Sequence, residues 1–242
     1  MAKEVVIVNA VRTAMGRRNG MFSGTHPVTL GAKVLRAVVD QVGLDAKEVG
    51  DVVWGNVSQV GEQAANIGRN VVLEANFPIE VPGTTVDRQC GSGQQAIHFA
   101  ANLIAAGVVD VAIGGGVEVM SRVPMGSNFK VAGFPFTPHM TSTYDLTSQG
   151  VAADNIARKY GITRQQLDEF ALQSQNRAKA ARDSGKFDKE ILPVDVEHEG
   201  VKGVFKTDEG IRESTLEKLS TLQPSFGEDG LHHAGNSSQI TD

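Results

Sequence analysis

A single cysteine among 242 residues excludes an internal disulfide and any redox scaffold built on one. A basic excess is missing as well. Against 28 Asp and Glu stand only 23 Lys and Arg, a net charge of -5, whereas gripping a phosphate backbone needs concentrated positive charge. Nucleic acid is therefore excluded as a partner, and Arg12, Arg17 and Arg18 beside glycine-rich sequence read as a solvated loop face. No window nears the ~20 apolar residues that cross a bilayer, which excludes a membrane-spanning helix. The opening MAKEVVIVNAVRTAMG lacks the apolar core and cleavage site of a signal peptide, so the expected location is cytoplasmic. His26, His98, His139, His198, His232 and His233 have no metal-ligand spacing, and no metal is expected. Repeats and low-complexity tracts are absent.

What is present is the make-up of an ordinary globular protein, 40% hydrophobic and 21% charged, long enough for one large or two modest cores. Val5 to Val8 is a β-branched run that predicts a buried strand. Leu30, Val34, Leu35, Val38 and Val42 have helical spacing, with Gly43 as the stop. Asp51 to Val57 returns to strand character, Asn66 to Ala75 to helix, Thr84 to Val86 to a short extended piece, Gly93 to Ala106 to helix, and Val108 to Ile113 to strand. Such alternation predicts an α/β fold with a mostly parallel sheet covered on both faces and its site at the strand C-termini. From about Met120 to Tyr144 no period is sustained, which reads as a long excursion. Helices then follow over Gly150 to Tyr160 and over Arg164 to Ser184, the second opened by a Thr163 to Gln166 capping box. A Ser214 to Glu217 box opens a short helix through Leu219, and the end, HHAGNSSQITD, is turn-rich.

Cys90 falls between the extended piece at Thr84 to Val86 and a helix whose buried side is Ala96, Ile97, Ala100, Leu103 and Ile104. At a helix N-terminus the unsatisfied N–H groups and the macrodipole favour thiolate over thiol. Gly91 and Gly93 remove side chains around the sulfur and admit a close approach. Location alone leaves a second reading open, because a free cysteine is often a small buried hydrophobe. His98 stands eight residues on, about two helical turns away, too far for a direct bond to the sulfur.

DRQCGSGQQA around Cys90 resembles the nucleophile motif of the thiolase family (acetyl-CoA acetyltransferases and 3-ketoacyl-CoA thiolases). GGGVEVMSRVP at Gly114 to Pro124 resembles that family's GGxExMS segment, and VRTAMGRRNG at Val11 to Gly20 its RTPxG signature. HAGNSSQITD at His233 to Asp242 looks like the TAGN(A/S)S segment before the last strand of the family's first domain. The order and spacing match over the whole chain, which is similar to the N-terminal part of a family member. Together they favour Cys90 as a nucleophile over Cys90 as a core residue.

The resemblance implies a layered αβα fold: a first core domain over 1–118, an inserted loop domain covering the CoA over 119–236, and a return into the core from 237 to 242, with the C-terminal half absent. It implies an acyl-CoA C-acyltransferase that condenses acetyl-CoA with an acyl-CoA, or cleaves a 3-ketoacyl-CoA, through an acyl-cysteine on Cys90. The catalytic set is incomplete here, since the family's GHP histidine, NEAF asparagine and second, CxGG cysteine lie in that missing half. The chain alone is expected to be inactive and to need its complementary C-terminal half. No cofactor is implied beyond CoA thioesters. Carried over by position, Arg212 lies near the nucleotide end of CoA, and Ala234 and Ser238 contact the pantetheine; ordinary alternatives are a surface charge near Asp208 and Glu209 for the first and turn chemistry for the others. The chain departs from biosynthetic acetoacetyl-CoA thiolases where they carry His-Met: here Ser148 and Gln149 precede Gly150, which implies room for longer or bulkier 3-ketoacyl groups. A homodimer or homotetramer is implied, with Met120 to Phe136 as the place to look for contacts between subunits. Acyl-chain specificity and reaction direction stay open, as do two alternatives: a ketoacyl-synthase-like condensing enzyme and a non-catalytic truncated thiolase module.

Overall fold

The computed structural model describes residues 4–242. The chain divides into two compact units. The first holds residues up to Ala132, Lys189–Glu209 and Ile240–Asp242; the second holds Gly133–Asp188 and Gly210–Gln239. By packing, the first stretch of the first unit runs to 132, and 189–209 returns to it.

In the first unit the elements run β1 (Arg12–Thr13), α1 (Pro27–Asp40), β2 (Asp51–Gly55), α2 (Ile67–Glu74), β3 (Gly83–Val86), α3 (Ser92–Ala105) and β4 (Ala112–Gly116). The main sheet is parallel in the order β3-β2-β4. From β2 the crossover through α2 steps to one side, and from β3 the crossover through α3 steps back past β2. With crossover handedness fixed, opposite steps put the two helices on opposite faces, and the glycines confirm it. A Cβ on Gly114 would meet Ile97 of α3, while one on its neighbour Gly115 would meet the Trp54 ring. Trp54 in turn faces Gly31 of α1 and Gly68 of α2. The expected α/β class with both faces covered is what the chain adopts.

Trp54, Val52, Leu35, Val39, Ile67, Val71 and Val72 are each no more than 1% exposed and form the core beneath α1 and α2. Each fully buried side chain of this size contributes about 1.5–3 kcal/mol. A second cluster joins Phe22, Leu30 and Val119 to β6 (Val194–His198) and β7 (Val201–Phe205). These pair as an antiparallel hairpin after β5 (Ile191–Leu192), which pairs in parallel with β1. Phe22 meets Phe205 edge to face, with centroids 4.8 Å apart. The hairpin turns at Glu199 and Gly200, both with positive φ (51° and 79°), as a tight two-residue reversal requires. At the chain's end Asp242 exchanges backbone bonds with Gly16, and its carboxylate accepts from Ser121.

The second unit contains α4 (Pro138–Thr143), α5 (Gln149–Lys159), α6 (Arg164–Asp183) and α7 (Leu216–Ser220). The capping box of Thr163 and Gln166 is formed in both directions. Gly150 packs beneath the Phe226 ring, leaving no space for a side chain.

Several expectations need correction. Val5 to Val8 forms no strand: Ile7 is 80% exposed and Val8 76%, and the run finds no ladder partner among the described residues. β-branched residues favour a pleated surface only when a neighbouring strand supplies one. β4 is shifted from Val108 to Ile113 onto Ala112–Gly116, because the glycines allow β2 and α3 to come close. The excursion carries the short α4. The last helix is capped by Thr215, which accepts from Lys218 N–H, so the Ser214 to Glu217 box is not made.

Candidate active site

β3 ends at Val86, and the chain then turns sharply into α3. Gly91 N–H donates to Arg88 O at 2.7 Å, closing a turn in which Cys90 sits at φ 61°. A left-handed conformation at a non-glycine residue costs on the order of 1–3 kcal/mol and persists only where the surroundings impose it. Ser92 Oγ accepts from Arg88 N–H at 3.1 Å and braces the turn. Cys90 is exposed, so the reading of it as a small core residue is overturned. Ahead of it Gly91 stands at the helix cap with no side-chain bond to the first turn, leaving that end of the macrodipole directed at the turn.

Gly55 sets the height of this helix head. A Cβ on Gly55 would lie 2.5 Å from Gly93 N and as close to the Ser92 backbone. Gly116 likewise lies against Gly55 O, where a Cβ would come to 2.7 Å. Glycines on two adjacent strands thus let α3 rest directly on the carboxyl edge of the sheet, which is where parallel α/β sheets carry their sites.

A polar cluster ties the strand ends together. Asn56 N–H donates to Val86 O, and its Nδ2 donates to Val117 O at 2.8 Å. The Glu118 carboxylate accepts from Val57 N–H, Ser58 N–H and, at 2.8 Å, Gln63 Nε2, whose own oxygen accepts from Val119 N–H. Burial, and then the Glu118 charge, hold the Asp87 carboxyl above its ordinary range. Glu118 is the acidic residue of GGGVEVMS, to which sequence reasoning gave no role; the structure makes it the anchor of the loop after β2. Only long-range contacts reveal that, since Glu118 and Ser58 stand sixty residues apart.

The other candidates lie in the second unit. Arg212 is exposed; its N–H donates to Gln175 Oε1 at 2.8 Å, and its Nη2 reaches Ala234 O at 3.4 Å. Arg212 and Ala234 are therefore brought together. Asp208 and Glu209, in the first unit, engage Arg12 and Arg17. Ala234 and Ser238 are both exposed. Ser148 caps α5 by accepting from Val151 N–H, and Gln149 is that helix's first, exposed residue. Among the described residues no helix is long and apolar enough to cross a membrane.

An exposed thiol in a strained turn stands at the head of a helix seated on the carboxyl edge of a parallel sheet, and this defines the class: an α/β protein with its candidate site where such sheets carry theirs. The family model "Thiolase, N-terminal domain" matches residues 5–242. The chain belongs to the thiolase family. It is 43% identical over 99% of its length to a steroid 3-ketoacyl-CoA thiolase of Mycobacterium tuberculosis, covering 60% of that protein. Against an acetyl-CoA acetyltransferase of Cupriavidus necator it is 37% identical over 99% of its length and covers 64%. The crystal structure of the Bacillus anthracis acetyl-CoA acetyltransferase superposes with a TM-score of 0.87 at 37% identity, over 98% of this chain and 62% of that one. The chain thus spans less than two thirds of the length of these relatives.

Proposed function

We propose that this chain carries the nucleophile of an acyl-CoA C-acyltransferase, with Cys90 as the residue acylated. The observation that supports this reading is the exposed Cys90 sulfur in a left-handed turn at the uncapped head of α3. The thiolate attacks the carbonyl carbon of an acyl-CoA thioester, a new C–S bond forms, and CoA departs with the electron pair of the broken one. The acyl group then passes from Cys90 to the carbanion of acetyl-CoA, freeing the thiolate; run backwards, this is thiolysis of a 3-ketoacyl-CoA. The backbone N–H of Cys90, which has no acceptor among the described residues, is suited to hold the developing oxyanion.

Proton transfer at the nascent carbanion and at the departing CoA falls to the histidine, asparagine and second cysteine of the complementary half, so the chain alone does not turn over. The loop domain over CoA, expected across 119–236, corresponds to the second unit, Gly133–Asp188 and Gly210–Gln239. Arg212 faces its nucleotide end, and Ala234 and Ser238 its pantetheine arm; the bond from Arg212 to Ala234 O supports treating these segments as one surface. Ser148 and Gln149 leave room for a bulky acyl group, consistent with the likeness to a steroid 3-ketoacyl-CoA thiolase. The working protein is a cytoplasmic homodimer or homotetramer with no cofactor beyond CoA thioesters. In the complete enzyme Cys90→Ser is expected to abolish both condensation and thiolysis while CoA still binds, since the hydroxyl is similar in size and a far weaker nucleophile. Retained turnover would rule Cys90 out.

A further inference from the structure

The second unit buries a set of polar groups to which the chemistry above gives no task. His233 is fully buried and Asp168 is 3% exposed. His233 Nδ1 accepts the Gly235 N–H at 3.0 Å, so the ring proton sits on Nε2, which meets Asp168 Oδ1 at 2.7 Å. The same carboxylate oxygen accepts from Asn236 Nδ2 at 3.0 Å, and Asn236 Oδ1 accepts from His233 N–H at 2.8 Å. On its other side Asp168 binds Arg164, which also donates to the carbonyls of Leu219 in α7 and of Leu222 just past it. Both polar ends of the imidazole are thus committed, and with them the backbone from His233 to Asn236.

Buried polar groups this completely paired fix one conformation, because each alternative strands a donor or a carboxylate away from water. The residues they fix flank Ala234 and precede Ser238. The helix that carries Asp168 also carries Gln175, which holds the Arg212 N–H. Seven residues on an α-helix are two turns, about 10 Å along one face. α6 therefore holds Arg212 and the 234–238 loop at a set separation.

We propose that Asp168 and His233 are positioning residues: through the Gly235 N–H and Asn236 they set the 234–238 loop to receive the pantetheine arm of CoA, with α6 as the ruler between that loop and Arg212. The inference rests on the reading of Arg212, Ala234 and Ser238 as CoA contacts.

The test uses the chain of 242 residues, CoA itself and isothermal titration. His233→Ala and Asp168→Ala are each expected to raise the Kd at least tenfold. Because the two act through each other, the double variant should bind about as weakly as either single one. His233→Gln restores an N–H toward Asp168 and is expected to recover part of the loss. Ala157→Gly, a buried change in α5, lowers the melting temperature without touching the network and should leave the Kd unchanged. Nitrogen NMR of the unaltered chain provides a readout that needs no variant: the His233 ring is expected to carry its proton on Nε2, and a proton on Nδ1 overturns the inference. If Arg212→Ala and Ser238→Ala weaken binding while the network variants bind normally, or lose no more than Ala157→Gly does at equal loss of stability, the inference falls alone. If Arg212→Ala and Ser238→Ala change nothing, or the unaltered chain binds no CoA, the reading beneath it falls too.

Discussion

Gly55→Ala is the most direct probe of how the proposed nucleophile, Cys90, is held. The added Cβ would stand 2.5 Å from Gly93 N, against ordinary contact at 3.4 Å and beyond. Since the opposing atoms are backbone, α3 has to lift from the sheet by about 1 Å or the strand has to bend. Overpacking of this kind costs about 1–3 kcal/mol, which in a chain of this length lowers the melting temperature by about 2–4 °C for each kcal/mol. The functional effect is larger, because a misplacement of about 1 Å near the reacting atoms costs on the order of 100-fold. Gly93→Ala is the control. It sits in the same first turn, yet a Cβ there meets nothing within 4 Å, so it should stabilise the chain by up to about 1 kcal/mol through helix propensity. The assays are thermal unfolding of each variant chain and thiolysis by the complete enzyme carrying Gly55→Ala. Normal stability and normal turnover in Gly55→Ala would refute the argument that this glycine seats the helix.

Cys90, the sole thiol, should react with iodoacetamide at neutral pH faster in the folded chain than after denaturation, because folding places it exposed at a helix head; equal rates would remove the case for activation. Burial pushes the Asp208 carboxyl up, but bonds from Arg12 and the Met15 N–H outweigh it and hold the group below its ordinary range. A depressed folded value contributes stability above the unfolded pKa of about 4 and loses it as pH falls through the folded one. Asp208→Asn should therefore flatten the fall in melting temperature on the acid side, and an unchanged slope between about pH 5 and 2 counts against the pairing. Supplying the complementary half in the same cells should yield acetoacetyl-CoA thiolysis that neither part shows alone; a mixture without activity favours a non-catalytic module.

Signals that are local in sequence read well. α1, α3, α5 and α6 announce themselves through apolar spacing and end signals, and the Thr163 box forms as expected. The placing of Cys90 at a helix head follows from the same logic. Strands read less well, since pairing decides them. Val5 to Val8 has the composition of a strand without one beside it, whereas Gly114 to Gly116 has poor strand propensity and is drawn into the sheet by what it lets in close. The β6–β7 hairpin did have a signal, the alternation of Val194, Asp195, Val196 and Glu197 before Glu199 and Gly200. Contacts such as His233 to Asp168, sixty-five residues apart, leave no periodic trace, and the same is true of Glu118.

The left-handed backbone at Cys90 sets stability against chemistry at one position. Any residue with a Cβ is strained there, and glycine alone is at ease. Cys90→Gly should therefore fold at least as well as the parent while lacking the sulfur altogether. A screen that rewards only yield or thermal resistance would drift toward that change and return well-behaved, chemically silent protein. Improvement of this chain has to select for the thiol itself, for example by retaining only molecules that a thiol-reactive tag can capture.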